Sequence, residues 1–228
     1  MPKIVWDKID EREFETGLKH GVLYPMGSSG YDKGVPWNGL TAVNESPEGA
    51  EPTDLWADDM KYATLRSAET FGYTIEAYMY PDEFAECDGS AEPVTGVKFG
   101  QQKRKAFGFS YVTTKGTAEN LEEGYIIHII YNSTASPSEK SYQTINDSPE
   151  AITFSWECNT TPIVVEHEDY PNLKPVASIT IDSTKVDSTK LKALEKLLYG
   201  SDPTTEGGTD GTDAQLPDPE DIIDIFDT

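Results

Sequence analysis

Alternation with a period of two restricts this chain more than any other feature. In AITFSWEC, Ile152, Phe154, Trp156 and Cys158 fall on one side of an extended chain and Ala151, Thr153, Ser155 and Glu157 on the other. That is the pattern of a strand with one face in a core and one in water. YTIEAYMY sets Tyr73, Ile75, Ala77 and Met79 against Thr74, Glu76, Tyr78 and Tyr80, and AFGFSYVT alternates Phe107, Phe109 and Tyr111 with smaller residues. GYIIHIIYN is apolar on both sides except at His128, which predicts a strand covered on both faces. GVLYP, WNGLTAV, MKYATLR and VASITID add further strands, with MKYATLR expected to turn back onto YTIEAYMY through residues 67–72. The fold class is therefore mainly β.

One segment has the other period. In DSTKLKALEKLLYG, Leu191, Leu194, Leu197 and Leu198 form a single stripe, preceded by capping residues and followed by Gly200. This predicts a helix over about 188–199 that packs on a sheet. YPDEFAEC is a candidate for a brief helical turn after Pro81.

Charge divides the chain into a body and a tail. The 228 residues carry a formal net charge of -23. Residues 201–228 hold nine acidic and no basic side chains, leaving a body of 32 acidic and 18 basic residues, net -14. Rich in Gly, Thr, Asp and Pro, the tail is expected to be largely flexible, with PEDIIDIFD at helical spacing and suited to docking on a neighbour after assembly. So acidic a chain is poorly suited to holding nucleic acid through its phosphates, which requires clustered Lys and Arg. MPKIVWDKIDEREF contains no apolar run of the signal-peptide type and no segment approaches a membrane span, so a soluble protein made in the cytosol is expected. Cys87 and Cys158 read as buried small hydrophobes.

Motifs for chemistry are sparse. His20, His128 and His167 stand in no ligand spacing with a cysteine, and CxxC, HExxH and GxSxG do not occur. His128, inside an apolar strand, reads as a structural histidine. GGTDGTD resembles one incomplete calcium-type repeat but reads better as a solvated linker. No catalytic residue, cofactor or metal site is expected. A glycosidase pair is defined by a distance in space that the abundance of carboxylates does not supply.

Two stretches stand out as candidates for contact. Asn44 to Asp59 carries six carboxylates and no basic residue, yet places Leu55 and Trp56 side by side just before Asp58 and Asp59. It reads as a long acidic loop, poorly ordered in the free subunit, with an apolar tip. Lys98, Lys103, Arg104 and Lys105 cluster within eight positions before an aromatic strand. A solvated turn would explain them. A basic patch for the acidic loop of a second copy would also do so, and such a head-to-tail contact builds rings or stacks.

Long colinear stretches also carry a resemblance. The run from GLTAVNESPEGAEPTDLWADDMKYATLRSAETFGYTIEAYMYPDEFAECDGS through GQQKRKAFGFSY and ASPSEKSYQTINDSPEAITFSWE to ITIDSTKVDSTKLKALEKLLYG resembles the major tail proteins, or tail tube proteins, of long-tailed bacteriophages of Gram-positive bacteria. It covers about residues 14–200. The resemblance implies a tail tube domain over residues 1–200, with a β-sandwich or barrel-like fold, a flanking helix and long extended loops. It further implies hexameric rings stacked around a tape measure protein, capped by tail terminator and tail tip proteins, in a virion assembled in the bacterial cytoplasm. DNA would pass through the channel without specific binding, and Glu76 and Glu157, on the polar faces of their strands, are channel-lining candidates. The alternative carried beside it is a carbohydrate-binding β-sandwich module.

Overall fold

The computed structural model describes residues 4, 6, 8, 12–49, 51–145, 150–204 and 211–227. The chain is mainly β. Its principal strands are β1 (Glu13–Pro25), β2 (Val35–Pro36), β3 (Leu40–Glu45), β4 (Glu48–Gly49), β5 (Pro52–Ala57), β6 (Met60–Arg66), β7 (Glu69–Thr70) and β8 (Gly72–Ala77). A four-residue helix α1 (Phe84–Cys87) precedes β9 (Ala91–Val94), β10 (Val97–Phe99), β11 (Phe107–Thr117), β12 (Gly124–Ala135), β13 (Phe154–Thr160) and β14 (Ser178–Asp182). Helices α2 (Ser188–Tyr199) and α3 (Pro219–Asp227) follow.

A large antiparallel sheet runs in the order β2-β1-β11-β12-β13-β8-β3. Its centre is β12, which pairs with β11 along one edge and divides the other between β14 (Ile126 to Ile130) and β13 (Ser133 to Ala135). The sheet curls until β3 lies beside β1, where Leu40 occupies the space a side chain at Gly21 would need. On the concave side Tyr73, Ile75, Phe107, Phe109, Trp156 and Cys158 are fully buried, with Phe84 of α1 seated among them. Trp37 packs on Phe84, Phe109 and Trp156 at ring separations of 4.6, 5.6 and 5.7 Å.

The convex side of β1, β11, β12 and β14 is also apolar, and the helices cover it. Ile127, Ile129, Tyr131 and Ile181 meet Leu191, Leu194 and Leu198 of α2. Burying each of these leucines stabilises the fold by about 1.5–3 kcal/mol as an upper bound. Asp187 caps α2 by accepting from the Thr189 and Lys190 amides, and Gly200 ends it at a φ of 75°. The helix therefore begins and ends where its sequence pattern places it. Tyr24 of β1 pins it by donating to the Leu198 carbonyl at 2.7 Å.

Four expectations are corrected. MKYATLR does not fold back on YTIEAYMY: β6 pairs with β5, and β8 lies between β3 and β13. Met79 is exposed because β8 ends at Ala77, so the alternation is broken before reaching it. Asn44 to Asp59 is mostly paired strand, since Asn44 and Glu45 close β3 and most of the remainder forms β4 and β5. The tail beyond residue 200 is not free where it is described. Ser201 bridges Thr212, the Gln215 amide donates to the Leu197 carbonyl, and Tyr131 donates to the Pro217 carbonyl at 3.0 Å. Helix α3 docks on its own body, with Ile222 buried and Lys190 donating to the Phe226 carbonyl. Ile222 and Leu216 complete the convex apolar face, which explains why this segment packs on the body. Residues 205–210, part of the expected flexible linker and of GGTDGTD, lie outside the described residues.

Candidate assembly surface

Between β3 and β8 the chain makes one long two-stranded ribbon. The register that pairs Val43 with Ile75 in the curled sheet continues through Glu48 with Thr70 and Pro52 with Arg66 to Leu55 with Ala63. A single irregularity follows between Leu55 and Trp56, so that Trp56 faces Lys61. The turn is Asp58–Asp59, at φ values of 50° and 60°. Two consecutive positive φ values are what a two-residue type I′ hairpin requires, and aspartate tolerates them better than most side chains. Thr64 donates to Asp54 at 2.8 Å and Lys61 pairs with it at 2.7 Å across the strands. Lys61 first, then Thr64, holds the Asp54 carboxyl below the usual range.

This arm has no core of its own. Every residue of β5 is exposed, as is every residue of β6 except the half-buried Ala63. Trp56 is 68% and Tyr62 77% exposed, and Leu55, Met60 and Leu65 are exposed too. No residue of 52–66 belongs to either apolar cluster of the body. A two-stranded hairpin alone in water is marginally stable, so a partner that covers these side chains would stabilise it. A shorter hairpin, β9–β10, presents Val94, Val97 and Phe99 in a similar way.

The root of the arm is fixed by a polar cluster that the sequence pattern did not reveal. Tyr111 donates to Glu45 at 2.7 Å and stacks on His128 with ring centroids 4.5 Å apart. His128 Nε2 lies 3.0 Å from the Thr113 hydroxyl and 3.3 Å from Glu15, and Nδ1 lies 3.8 Å from Glu45. The histidine has partners on β1, β3 and β11, in keeping with a structural role.

The sequence-predicted basic cluster is largely neutralised within the subunit. Lys98 pairs with Asp82 at 2.8 Å, and Lys105 with Glu86 at 2.9 Å and Asp32 at 3.8 Å. Arg104 donates to the Ala135 and Ser136 carbonyls at 3.0 and 3.3 Å and reaches Asp88 at 3.5 Å. Lys103 is exposed. Hydrogen bonding to Asp82 and Glu86 raises the Lys98 and Lys105 pKa values, stabilising their charged forms in these pairs. Neither sequence nor spacing could show this, because the neutralising acids come from other segments.

Glu76 and Glu157 come together on one surface. Glu76 stands opposite Ser155, and Glu157 opposite Thr74, on the face of β8 and β13 turned away from the buried Ile75 and Trp156. Asn44 Nδ2 donates to Glu76 at 3.4 Å from the adjacent strand. The result is a polar strip across β3, β8 and β13.

Cys87 and Cys158 are buried free thiols, and burial pushes Cys87 up to about 12. Among the described residues no group of three or more His, Cys, Asp or Glu side chains is placed to hold a metal ion. No described helix is long and apolar enough to cross a membrane. No protein-family model matches the chain, and no curated protein matches it significantly.

Proposed function

We propose that this protein is a structural subunit that assembles with copies of itself into stacked hexameric rings, forming the tail tube of a long-tailed bacteriophage. The observation that carries the reading is the arm of residues 52–66, which exposes Leu55, Trp56, Met60, Tyr62 and Leu65 away from the subunit core. An arm of this kind gains its stability from a neighbour, and a contact between unlike surfaces of identical copies propagates. The polar strip containing Glu76 and Glu157 suits the wall of a DNA channel, because carboxylates repel passing phosphates and keep the polymer from adhering. The tape measure, tail terminator and tail tip proteins are the expected further partners, and the virion tail the expected location. Negative-stain microscopy and sedimentation of the purified chain over a concentration series test the reading. Rings or tubes of constant diameter support it, and a permanent monomer at every concentration refutes it.

A further inference from the structure

We infer that the tip of the arm docks in a cleft at the base of the arm of the next copy, where Arg66 and Lys174 receive Asp58 and Asp59 and an apolar floor receives Trp56. This rests on the self-assembly reading and adds to it the identity of the receiving surface. The cleft, of about 770 Å3, lies between the arm's own base at Arg66–Phe71 and the segment around Lys174–Ser178. Phe71, Pro162, Pro175 and Val176 give it apolar surface, and Arg66 and Lys174 outnumber its one carboxylate, Glu69.

Charge favours this cleft over the acidic ones beside α1 and α3. In a chain of net charge -23, this concave surface carries a cationic surplus. The cleft beside α1 is lined by Asp32, Asp82, Glu83, Glu86 and Glu92 against two lysines, and the one beside α3 carries Asp218 and Glu220. Both would repel an acidic tip. Among the described residues neither Arg66 nor Lys174 makes an ion pair, whereas Lys98, Arg104 and Lys105 already do. The tip combines two carboxylates at the turn with the exposed Trp56 and Met60, the complement of a cationic cleft with an apolar floor.

Geometry makes the contact intermolecular. Pro52 pairs with Arg66 at one end of the hairpin and Ala57 with Met60 at the other, so a paired ribbon separates the tip from the cleft of its own subunit. Seven residues at about 3.4 Å each hold them roughly 24 Å apart. Each copy then offers one tip and one cleft, and successive copies are displaced along the arm by about that length or somewhat more.

The test uses the full chain. Arg66→Glu with Lys174→Glu reverses the cleft, and Asp58→Lys with Asp59→Lys reverses the tip. Asp58→Asn with Asp59→Gly removes the tip charge while preserving the turn. Each reversal alone should weaken self-association about tenfold or more in sedimentation at low salt, and the Asn–Gly turn should weaken it without backbone strain. The four reversals together should restore part of it, the remainder being the cost of lysine at two positive φ positions. As an independent measure, Ala57→Cys protein mixed with Ala68→Cys protein should form an oxidised heterodimer that neither forms alone, the native thiols being buried. If the cleft reversal leaves association unchanged and the mixed crosslink is absent while Trp56→Ala abolishes association, the arm docks elsewhere and this inference fails while self-assembly stands. If Trp56→Ala also assembles normally, the arm-based reading fails with it.

Discussion

The Tyr111 hydroxyl donates to the Glu45 carboxylate at 2.7 Å, joining the centre of the sheet to the residue at which β3 leaves it to become the arm. Burial, then the bond to Glu45, raises the Tyr111 pKa, so the phenol remains a donor throughout the neutral range. Tyr111→Phe keeps the ring stacked on His128 and removes only this bond. The expected loss is about 1–2 kcal/mol, read as a melting temperature lower by about 2–8 °C. Limited proteolysis should show faster cleavage near residues 46–51.

Trp56→Ala separates folding from assembly. The side chain is exposed and absent from both apolar clusters, so the thermal melt should change by less than about 0.5 kcal/mol. Assembly, followed by light scattering, should be abolished or slowed at least about tenfold, because a buried aromatic anchor contributes on the order of 2 kcal/mol per contact.

Helix α3 belongs to the subunit's own fold. Ile222→Ala should cost about 2–4 kcal/mol in denaturant unfolding, since its side chain is buried against the convex apolar face. A chain ending at Leu216 should melt at a lower temperature as a monomer, before any question of assembly arises.

Acid should weaken the fold partly through Asp182. Burial raises its pKa, but hydrogen bonds from the Thr184 side chain and backbone and from Lys115 outweigh this and hold it well below the usual range. A depressed folded pKa contributes stability above the unfolded value of about 3.9 and loses it as pH falls toward the folded one. The melting temperature of Asp182→Asn should therefore fall less steeply than that of the parent below about pH 4, as measured by calorimetry.

The assembled protein should show no measurable affinity for duplex DNA near physiological salt, given its surplus of carboxylates. Fluorescence anisotropy with a labelled duplex checks this, and tight, salt-sensitive binding would contradict the channel role proposed for the Glu76 and Glu157 surface.

What the sequence disclosed and what it hid follow from one physical distinction. Strands with one face in a core advertise themselves by alternation, which is why β8 and β13 were legible through Tyr73, Ile75, Trp156 and Cys158. The leucine stripe and caps of α2 were equally explicit. The arm buries neither face, so β5 carries no such signal and Asn44 to Asp59 looked like a loop, while MKYATLR was legible as the strand β6 but not its pairing with β5. Leu55 and Trp56 were nevertheless identifiable as exposed apolar residues in acidic surroundings. Lys98, Arg104 and Lys105 misled in the opposite direction, since Asp82, Asp88, Glu86 and Asp32 approach them only after folding. Arg66 and Lys174 lie more than a hundred positions apart and had no common signal until the fold brought them to one cleft.

The unbroken register from Val43–Ile75 to Leu55–Ala63 makes the arm a ruler graduated in residues. Adding two residues to each strand would carry the tip outward by about 7 Å while leaving every side chain on its original face. Adding one to each would move it about half as far and turn the tryptophan to the opposite face. In the proposed assembly, spacing between successive copies would therefore change only in steps, and a lineage of such chains would drift in length by matched pairs or lose the contact with the neighbour altogether.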